Sequence, residues 1–306
     1  MATIGRLIGV WAGIGGFLIL PGVVVRRCAG AEQCAVETEG ESVVGNCCPG
    51  VGETCDEVRE QLLVRGFAMS GRVAGSAGVP GRVGEEFAGL AEDPHSPGSG
   101  RYRAYSRMLY LPWRDSLEWM PEEVREGRSW SPYDQGSFNR EFPGMRYFPG
   151  ISAEVKGLGF LEELVRADLG RIPDNGSFSQ WPVYVGVHLI RLQPGTSTGE
   201  AGTTPDHLHQ DGGADMFTFV HLVGLSNAEG GETTIAKPEC AGRAPHEVSG
   251  DERLADFKLE EALQWYAVND QAVSHHAAAI RRSDPGEPAR RDVVLLGISP
   301  CKPVFG

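Results

Sequence analysis

The chain is poor in positive charge: its 306 residues carry 28 lysines and arginines against 41 acidic residues, a net charge of −13, with no long basic run. The electrostatic footprint of a nucleic-acid binder is therefore missing. Uninterrupted helical stretches are scarce as well, because 42 glycines and 20 prolines punctuate the sequence, which argues against a helical bundle or coiled coil. Cysteine almost disappears after residue 55, leaving only Cys240 and Cys301. The earlier ones, Cys28, Cys34, Cys47, Cys48 and Cys55, do not form paired C-x-x-C spacings with partnering histidines, so a zinc module finds little support. There is no internal repeat. What remains is an ordinary globular composition, 41% hydrophobic and 8% aromatic, long enough to bury a sizeable core.

One long apolar stretch exists, LIGVWAGIGGFLILPGVVV from Leu7 to Val25, flanked by Arg6 and by Arg26-Arg27. It is just long enough to span a bilayer, but its glycines and Pro21 weaken insertion, so a secretory signal competes with an anchor. Ala29-Gly30-Ala31 has the small-x-small pattern of a cleavage site. The cysteines that follow read as disulfides in an oxidising compartment or as free thiols in a reducing one. Residues 1–54 are accordingly expected to be an extension outside the folded domain, and residues 55–306 the domain itself. A cytoplasmic location is expected for that domain, with membrane contact only through the N-terminal segment if it is retained.

From Cys55 to Phe67 the spacing of Val58, Leu62 and Leu63, ended by Gly66, predicts an amphipathic helix. Residues 70–100, rich in Gly, Ser and Pro, read as loop. A second amphipathic helix is expected over Glu154 to Gly170, with Val155, Leu158, Leu161, Leu164 and Val165 on one face. After it the period becomes extended. Val183 to Leu192, Met216 to Val223, Glu232 to Ala236, Ala272 to Ile280 and Asp292 to Ile298 are short β-rich runs separated by Gly, Pro and Asp. The expected class is mainly β with flanking helices, a sandwich or jelly roll over about residues 180–300.

Six of the eight histidines lie between His207 and His276, so the chemistry is sought there. In Pro205-Asp206-His207-Leu208-His209-Gln210-Asp211-Gly212, His209 and Asp211 are two apart and leave the same face of an extended segment. An imidazole nitrogen and a carboxylate oxygen can then meet one ion. A third donor is available in Val273-Ser274-His275-His276-Ala277. Two histidines and a carboxylate leave three adjacent coordination positions open, the set that suits non-haem Fe(II) and oxygen chemistry. An H-x-D pair alone also arises in exposed turns. Its context is richer: Gly230-Gly231-Glu232-Thr233 follows at a turn, and Arg290-Arg291 opens the last apolar strand, where an arginine can grip the far carboxylate of a dicarboxylic acid.

With these residues in place, the sequence resembles the Fe(II)/2-oxoglutarate-dependent dioxygenases, and among them the hydroxylases of free aliphatic L-amino acids. The stretches that carry the likeness are HLIRLQPG at 188–195, HLHQDGGADMFTFVHLVGLSNAEGGETTI at 207–235, DQAVSHHAAAI at 270–280 and RRDVVLLGIS at 290–299. GRYRAYSRM at 100–108 and YDQGSFNREFPGMRYF at 133–148 add to it upstream. The resemblance implies a double-stranded β-helix core of cupin-like jelly-roll form, with Fe(II), 2-oxoglutarate and O2 as cofactor and co-substrates. It further implies hydroxylation of a small substrate, a free aliphatic L-amino acid first among them, with release of succinate.

Carried over residue by residue, the resemblance makes His209, Asp211 and a distal histidine the iron ligands and Arg291 the clamp for 2-oxoglutarate. The family pattern, a ligand five residues before an Ile, puts the distal ligand at His275 with Ile280, and strand alternation turns His276 to the opposite face. Arg290 reads as a solvated neighbour. Arg103, Tyr133, Gln135, Asn139 and Arg146 are candidates for the substrate's amino and carboxylate groups, with packing and surface charge as the plain alternative. His188 and His221, in apolar strands, read as satisfied core histidines, His207 as a loop histidine, and Glu232 as support for its turn. A hydroxylase of protein residues, a non-catalytic metal-binding jelly roll and, least of all, a hydrolytic zinc site are the other readings the residues leave open.

Overall fold

The computed structural model describes residues 54–302 apart from 73–77, 135–143, 175, 196–198 and 213–215, together with the backbone of four short strands before residue 54. The chain divides into two compact units, Met1–Pro49 and Gly50–Gly306. In the first unit β1 (Ile19–Leu20), β2 (Val23–Val25), β3 (Ala35–Thr38) and β4 (Glu41–Val44) pair in chain order as an antiparallel ladder. Most of the apolar run from residue 7 to 25 lies outside the described residues. Among the described residues no helix is long and apolar enough to cross a membrane. Cys55 is disulfide-bonded, whereas Cys240 and Cys301 are free.

The second unit begins with α1 (Cys55–Val64), whose start is fixed by a capping box between Thr54 and Glu57. Its buried residues are Val58 and Leu62, while Leu63, expected on the same face, is 69% exposed. Then come β5 (Phe67–Arg72) and α2 (Gly81–Ala88), the latter inside a stretch read from the sequence as loop. Flanking Gly and Pro hide its single apolar pair, Val83 and Phe87, which is buried four residues apart. β6 (Arg101–Leu111), β7 (Ser116–Trp119), β8 (Glu123–Arg125), β9 (Arg128–Asp134) and β10 (Met145–Pro149) follow. The second expected helix is in fact two, α3 (Ala153–Lys156) and α4 (Phe160–Leu169), because Gly157 closes the first and Gly159, at φ 76°, opens the second. A short α5 (Ser177–Gln180) precedes the β-rich half.

That half contains β11 (Val183–Leu192), β12 (Glu200–Ala201), β13 (Phe217–Ser226), β14 (Ala228–Gly230), β15 (Thr233–Ala236), β16 (Arg253–Phe257), β17 (Gln264–Asn269), β18 (Ser274–Ala277), β19 (Ile280–Arg282) and β20 (Arg290–Pro300). The run read as one strand from Ala272 to Ile280 is broken into β18 and β19 by Ala278-Ala279. Seven strands form one sheet in the order β5-β17-β13-β20-β11-β6-β7, and the pairings along it are antiparallel. Facing it are β16-β15-β18 and β12-β19-β14. β14 runs on into β15, β18 into β19, and an isolated bridge joins His209 to His275. The two small sheets are thus one interrupted face, and the chain alternates between it and the large sheet. This is a jelly roll.

The central strands are apolar almost throughout because both faces of the large sheet are covered. Val183, Val185, Val187, Leu189, Phe217, Phe219, Val294, Leu296 and Ile298 pack on the helix side with Val58, Leu62, Phe87, Leu161 and Val165. The alternate residues Ile190, Leu192, Val220, Leu222, Tyr266, Val268 and Val293 face the opposing sheet. Each such fully buried aliphatic or aromatic side chain contributes about 1.5–3 kcal/mol.

Candidate metal centre and its cavity

The bridge between His209 and His275 is a hydrogen-bonded antiparallel pair, each backbone N–H donating to the other's carbonyl at 2.9 Å. Directly opposed residues of such a pair project to the same side, and the two rings meet with centroids 4.5 Å apart. Asp211, two residues beyond His209, completes the group: its carboxylate lies 3.7 Å from Nε2 of His209 and 3.3 Å from Nε2 of His275. One donor atom from each of the three falls within 4.8 Å of the others. His276 turns to the opposite face, near Asp206 and His207. It is thus His275, not His276, that lies beside His209 and Asp211.

The surroundings orient these donors. Nδ1–H of His209 donates to the His207 carbonyl at 2.9 Å, which leaves Nε2 for a metal. Asp270, wholly buried, accepts the backbone N–H of Asp211 at 3.1 Å and the Thr218 hydroxyl at 2.9 Å. The same carboxylate lies 3.8 Å from Nδ1 of His275. Burial, and then the charge of His275, push His209 down to about 4. Burial pushes Asp211 upward, but its hydrogen bond to His275 and the two imidazoles outweigh that and hold it far below the usual carboxylate range. Burial lowers His275, but its hydrogen bond to Asp211 and the charges of Asp211 and Asp270 outweigh that and raise it, so a metal would bind there in place of a proton. Two imidazole nitrogens and a carboxylate fit a six-coordinate iron(II) with three positions left for other ligands.

Arg291 enters the same cavity from β20. Alternation sends its side chain inward and that of Asp292 the other way, where Asp292 receives Arg191 in a two-point pair at 2.7 and 2.8 Å. The Arg291 guanidinium is buried, yet its Nε and Nη2 have no hydrogen-bond partner. Gly231 makes room for it, since a Cβ there would meet Cδ of Arg291 at 3.2 Å, and the residue's φ is 77°. Tyr266 stands nearby, its hydroxyl pushed up to about 12 by burial. A buried guanidinium with two open donors suits a carboxylate. Arg290 is exposed, and Glu232 points to solvent away from the three donors.

The remaining wall of the cavity comes from β6, β9, β10 and β11, and it includes Arg101, Arg103, Tyr133, Arg146 and His188. Three of the five residues expected to meet the substrate, Arg103, Tyr133 and Arg146, are thus brought to the metal centre. Gln135 and Asn139 lie outside the described residues. His188 corrects an expectation: it is buried, but on the cavity wall, where Nη2 of Arg103 donates to its Nδ1 at 2.6 Å and its ring stacks on Tyr105. Arg101 and Asp270 stand within stretches that carry the family likeness, but the sequence reading assigns them no role. Arg101 precedes Arg103 by two and shares its face, a signal present in the sequence. Asp270 opens the 270–280 stretch but has no spacing signal of its own, since only the tertiary fold brings it behind His275. His221 is the core histidine it was expected to be, bonded to Asp168 at 2.7 Å on the helix side of the sheet.

The profile of the 2OG-Fe dioxygenase family matches residues 84–297. No curated protein matches the sequence. Among solved structures, the chain is similar to a bsmA homolog from Methylobium petroleophilum PM1, with 21% identity over 84% of this chain and 97% of that one and a TM-score of 0.60. IDO from Bacillus thuringiensis is similar at 19% identity over 84% and 100%, with a TM-score of 0.57. The Fe(II)/(alpha)ketoglutarate-dependent dioxygenase TqaL is similar at 12% identity over 82% and 88%, with a TM-score of 0.59. These three likenesses establish the fold. Together with the family match, which spans well over half of its length, they lead to one conclusion: the chain belongs to the 2OG-Fe dioxygenase family, oxidoreductases that use Fe(II), 2-oxoglutarate and O2.

Proposed function

We propose that the chain hydroxylates a small free L-amino acid, with 2-oxoglutarate converted to succinate and carbon dioxide. In this reading His209, Asp211 and His275 hold the iron and Arg291 holds the far carboxylate of 2-oxoglutarate. The observation that carries it is the convergence, in one cavity, of three metal donors with a buried guanidinium that has two open donors. The likeness of the sequence to hydroxylases of free aliphatic L-amino acids supports the choice of substrate.

Bound iron would supply the activation of O2 that no side chain here can perform. The protein's part is positional. His207 holds the His209 ring, Asp270 accepts the Asp211 backbone N–H, and the same carboxylate lies 3.8 Å from Nδ1 of His275. Ile190, Leu192, Val220, Val293 and Leu295 supply the apolar part of the lining, which strengthens the charge interactions beside it. Arg101, Arg103 and Arg146 offer donors for the substrate carboxylate. His209→Ala or Asp211→Ala should lose Fe(II)-dependent succinate formation, measured with a panel of free amino acids; coupled turnover retained in either variant contradicts the assignment.

A further inference from the structure

We propose that Glu122, which lies outside the cavity, is a positioning residue for the second substrate: it fastens the hairpin that carries Tyr133 and Arg146 against β6. This rests on the reading above, in which that wall meets the substrate.

Strands β8, β9 and β10 form a sheet of their own, and among the described residues they pair only with one another. Side chains, not a shared ladder, therefore hold the hairpin of β9 and β10 to the jelly roll. Ser131 and Tyr133 of β9 are two apart, and Phe148 and Arg146 of β10 stand directly opposite them, so the four side chains leave one face. That face lies on β6: Phe148 covers the Arg103 guanidinium at 4.0 Å, and the Tyr133 ring is 4.9 Å from that of Tyr105. Apolar contact of this kind is non-directional, whereas hydrogen bonds to one buried acceptor fix both distance and angle.

Glu122 supplies that directional part. It stands between β7 and β8 with 9% of its side chain exposed, and its Oε1 accepts the Ser106 hydroxyl of β6 at 2.5 Å and the Ser131 hydroxyl of β9 at 3.1 Å. Nζ of Lys156, on α3, lies 2.8 Å from the same oxygen. Ser106 in turn accepts the backbone N–H of Ile151, just beyond β10, at 3.0 Å. Gly150 leaves the space that the carboxylate fills, since a Cβ there would collide with Oε2 of Glu122 and Oγ of Ser129. One carboxylate thus joins β6, β9, the end of β10 and α3. Burial pushes its proton affinity up, but Lys156 and then Ser106 outweigh that and hold Glu122 below the usual carboxylate range, so it accepts as an anion.

Both serines are wholly buried, and without the carboxylate their hydroxyls lose their acceptor. Ser131 is only one pleat, about 7 Å, from Tyr133, so slack at the carboxylate reaches the cavity wall. The metal donors and the clamp belong to other elements: His209 and Asp211 precede β13, His275 lies on β18 and Arg291 on β20. Loss of Glu122 should loosen the substrate's wall and leave the metal's side in place.

Hydrogen exchange and kinetics on the full chain test this together. In metal-free Glu122→Ala, amide exchange in peptides covering β9 and β10 should quicken about tenfold, with β18 and β20 unchanged. With Fe(II), 2-oxoglutarate and O2 supplied and L-leucine as the probe, KM for L-leucine should rise about tenfold, while kcat and KM for 2-oxoglutarate stay within about twofold. Glu122→Gln, which keeps an acceptor for both serines, should recover most of that affinity. Lys156→Met separates positioning from stability: it should lower the thermal midpoint and leave KM for L-leucine within about twofold. Unchanged exchange in the hairpin of Glu122→Ala overturns the proposal. So does a KM for 2-oxoglutarate that rises as far as that for L-leucine, or a rise in Lys156→Met equal to that in Glu122→Ala. If Glu122→Ala does not fold, Ser131→Ala replaces it, with about a threefold rise expected in hairpin exchange and in KM; no rise in either overturns the proposal. A wild type that makes no succinate with L-leucine defeats the aliphatic substrate reading instead, and the exchange result then decides the role of Glu122 alone.

Discussion

Two buried histidines lie on opposite faces of the seven-stranded sheet and keep opposite company. His221, on the helix side, meets the carboxylate of Asp168 at 2.7 Å, and the same carboxylate takes Arg171 at 2.7 Å. There one arginine meets one aspartate, and the imidazole bonds the same carboxylate. His188, on the cavity side, meets a guanidinium, and behind that guanidinium two arginines share one aspartate. Burial costs polar groups the same on either face, so the difference lies in what completes them. On the helix side the chain supplies both partners and the result is structure. On the cavity side Arg103 meets an imidazole and shares Asp93 with Arg101, and the group opens onto the cavity. A buried histidine in an apolar strand thus has two meanings, and the sign of its neighbour separates them.

The comparison breaks first at Asp168. Asp168→Asn removes the shared carboxylate beneath α4 and should cost about 3–5 kcal/mol of stability in urea unfolding, while the affinity of the folded protein for 2-oxoglutarate stays unchanged. A change in that affinity would mean that the two faces are not independent. Asp270→Asn probes the other side. It weakens the hydrogen bond to the Asp211 backbone and removes the negative charge beside His275, and metal affinity, read by Co(II) or Mn(II) titration, should fall about 10- to 100-fold. Stability of the metal-free chain should change less than in Asp168→Asn.

The smallest effect is a pH dependence at His188. Burial and then Arg103 hold its folded-state value well below the ordinary imidazole range. The unfolded chain therefore takes up a proton at this ring as pH falls below about 6.5, whereas the folded chain does not, so stability declines toward acid. The slope attributable to this group is at most about 1.4 kcal/mol per pH unit. His188→Gln, which can still accept from Arg103, should flatten the difference between melts at pH 7.5 and 5.5 by up to that amount.

Much of this arrangement is legible in the sequence, and unevenly so. Strand β11 coincides with its apolar run from Val183 to Leu192, because a strand covered on both sides carries a continuous hydrophobic signal. The two-residue spacing of His209 and Asp211 sets their common face, whereas Arg291 is singled out over Arg290 only by the family likeness. The helix α2 was hidden because two buried residues, Val83 and Phe87, make too faint a period among glycines and a proline. Asp270, Asp93 and Asp168 look like any other acidic residues until the fold closes around them. Alternation in β11 does put His188 on the face of Ile190 and Leu192, away from Val187 and Leu189. What alternation cannot say is that Ile190 lies beside Arg103, or Leu192 between Arg101 and Arg291, since strand register is a long-range property.

In the proposed function the three donors and Arg291 form a single site for iron and 2-oxoglutarate. Anaerobic titration of the full chain with Fe(II) and then 2-oxoglutarate tests it most directly, followed through the visible charge-transfer band of the bidentate chelate. The band should appear in the wild type, be absent in Asp211→Ala, and in Arg291→Ala require at least about 30-fold more 2-oxoglutarate, as expected for removing one partner of a buried charge pair. A wild-type protein that binds Fe(II) without forming the band, or an Arg291→Ala titration superimposable on the wild type, would contradict it.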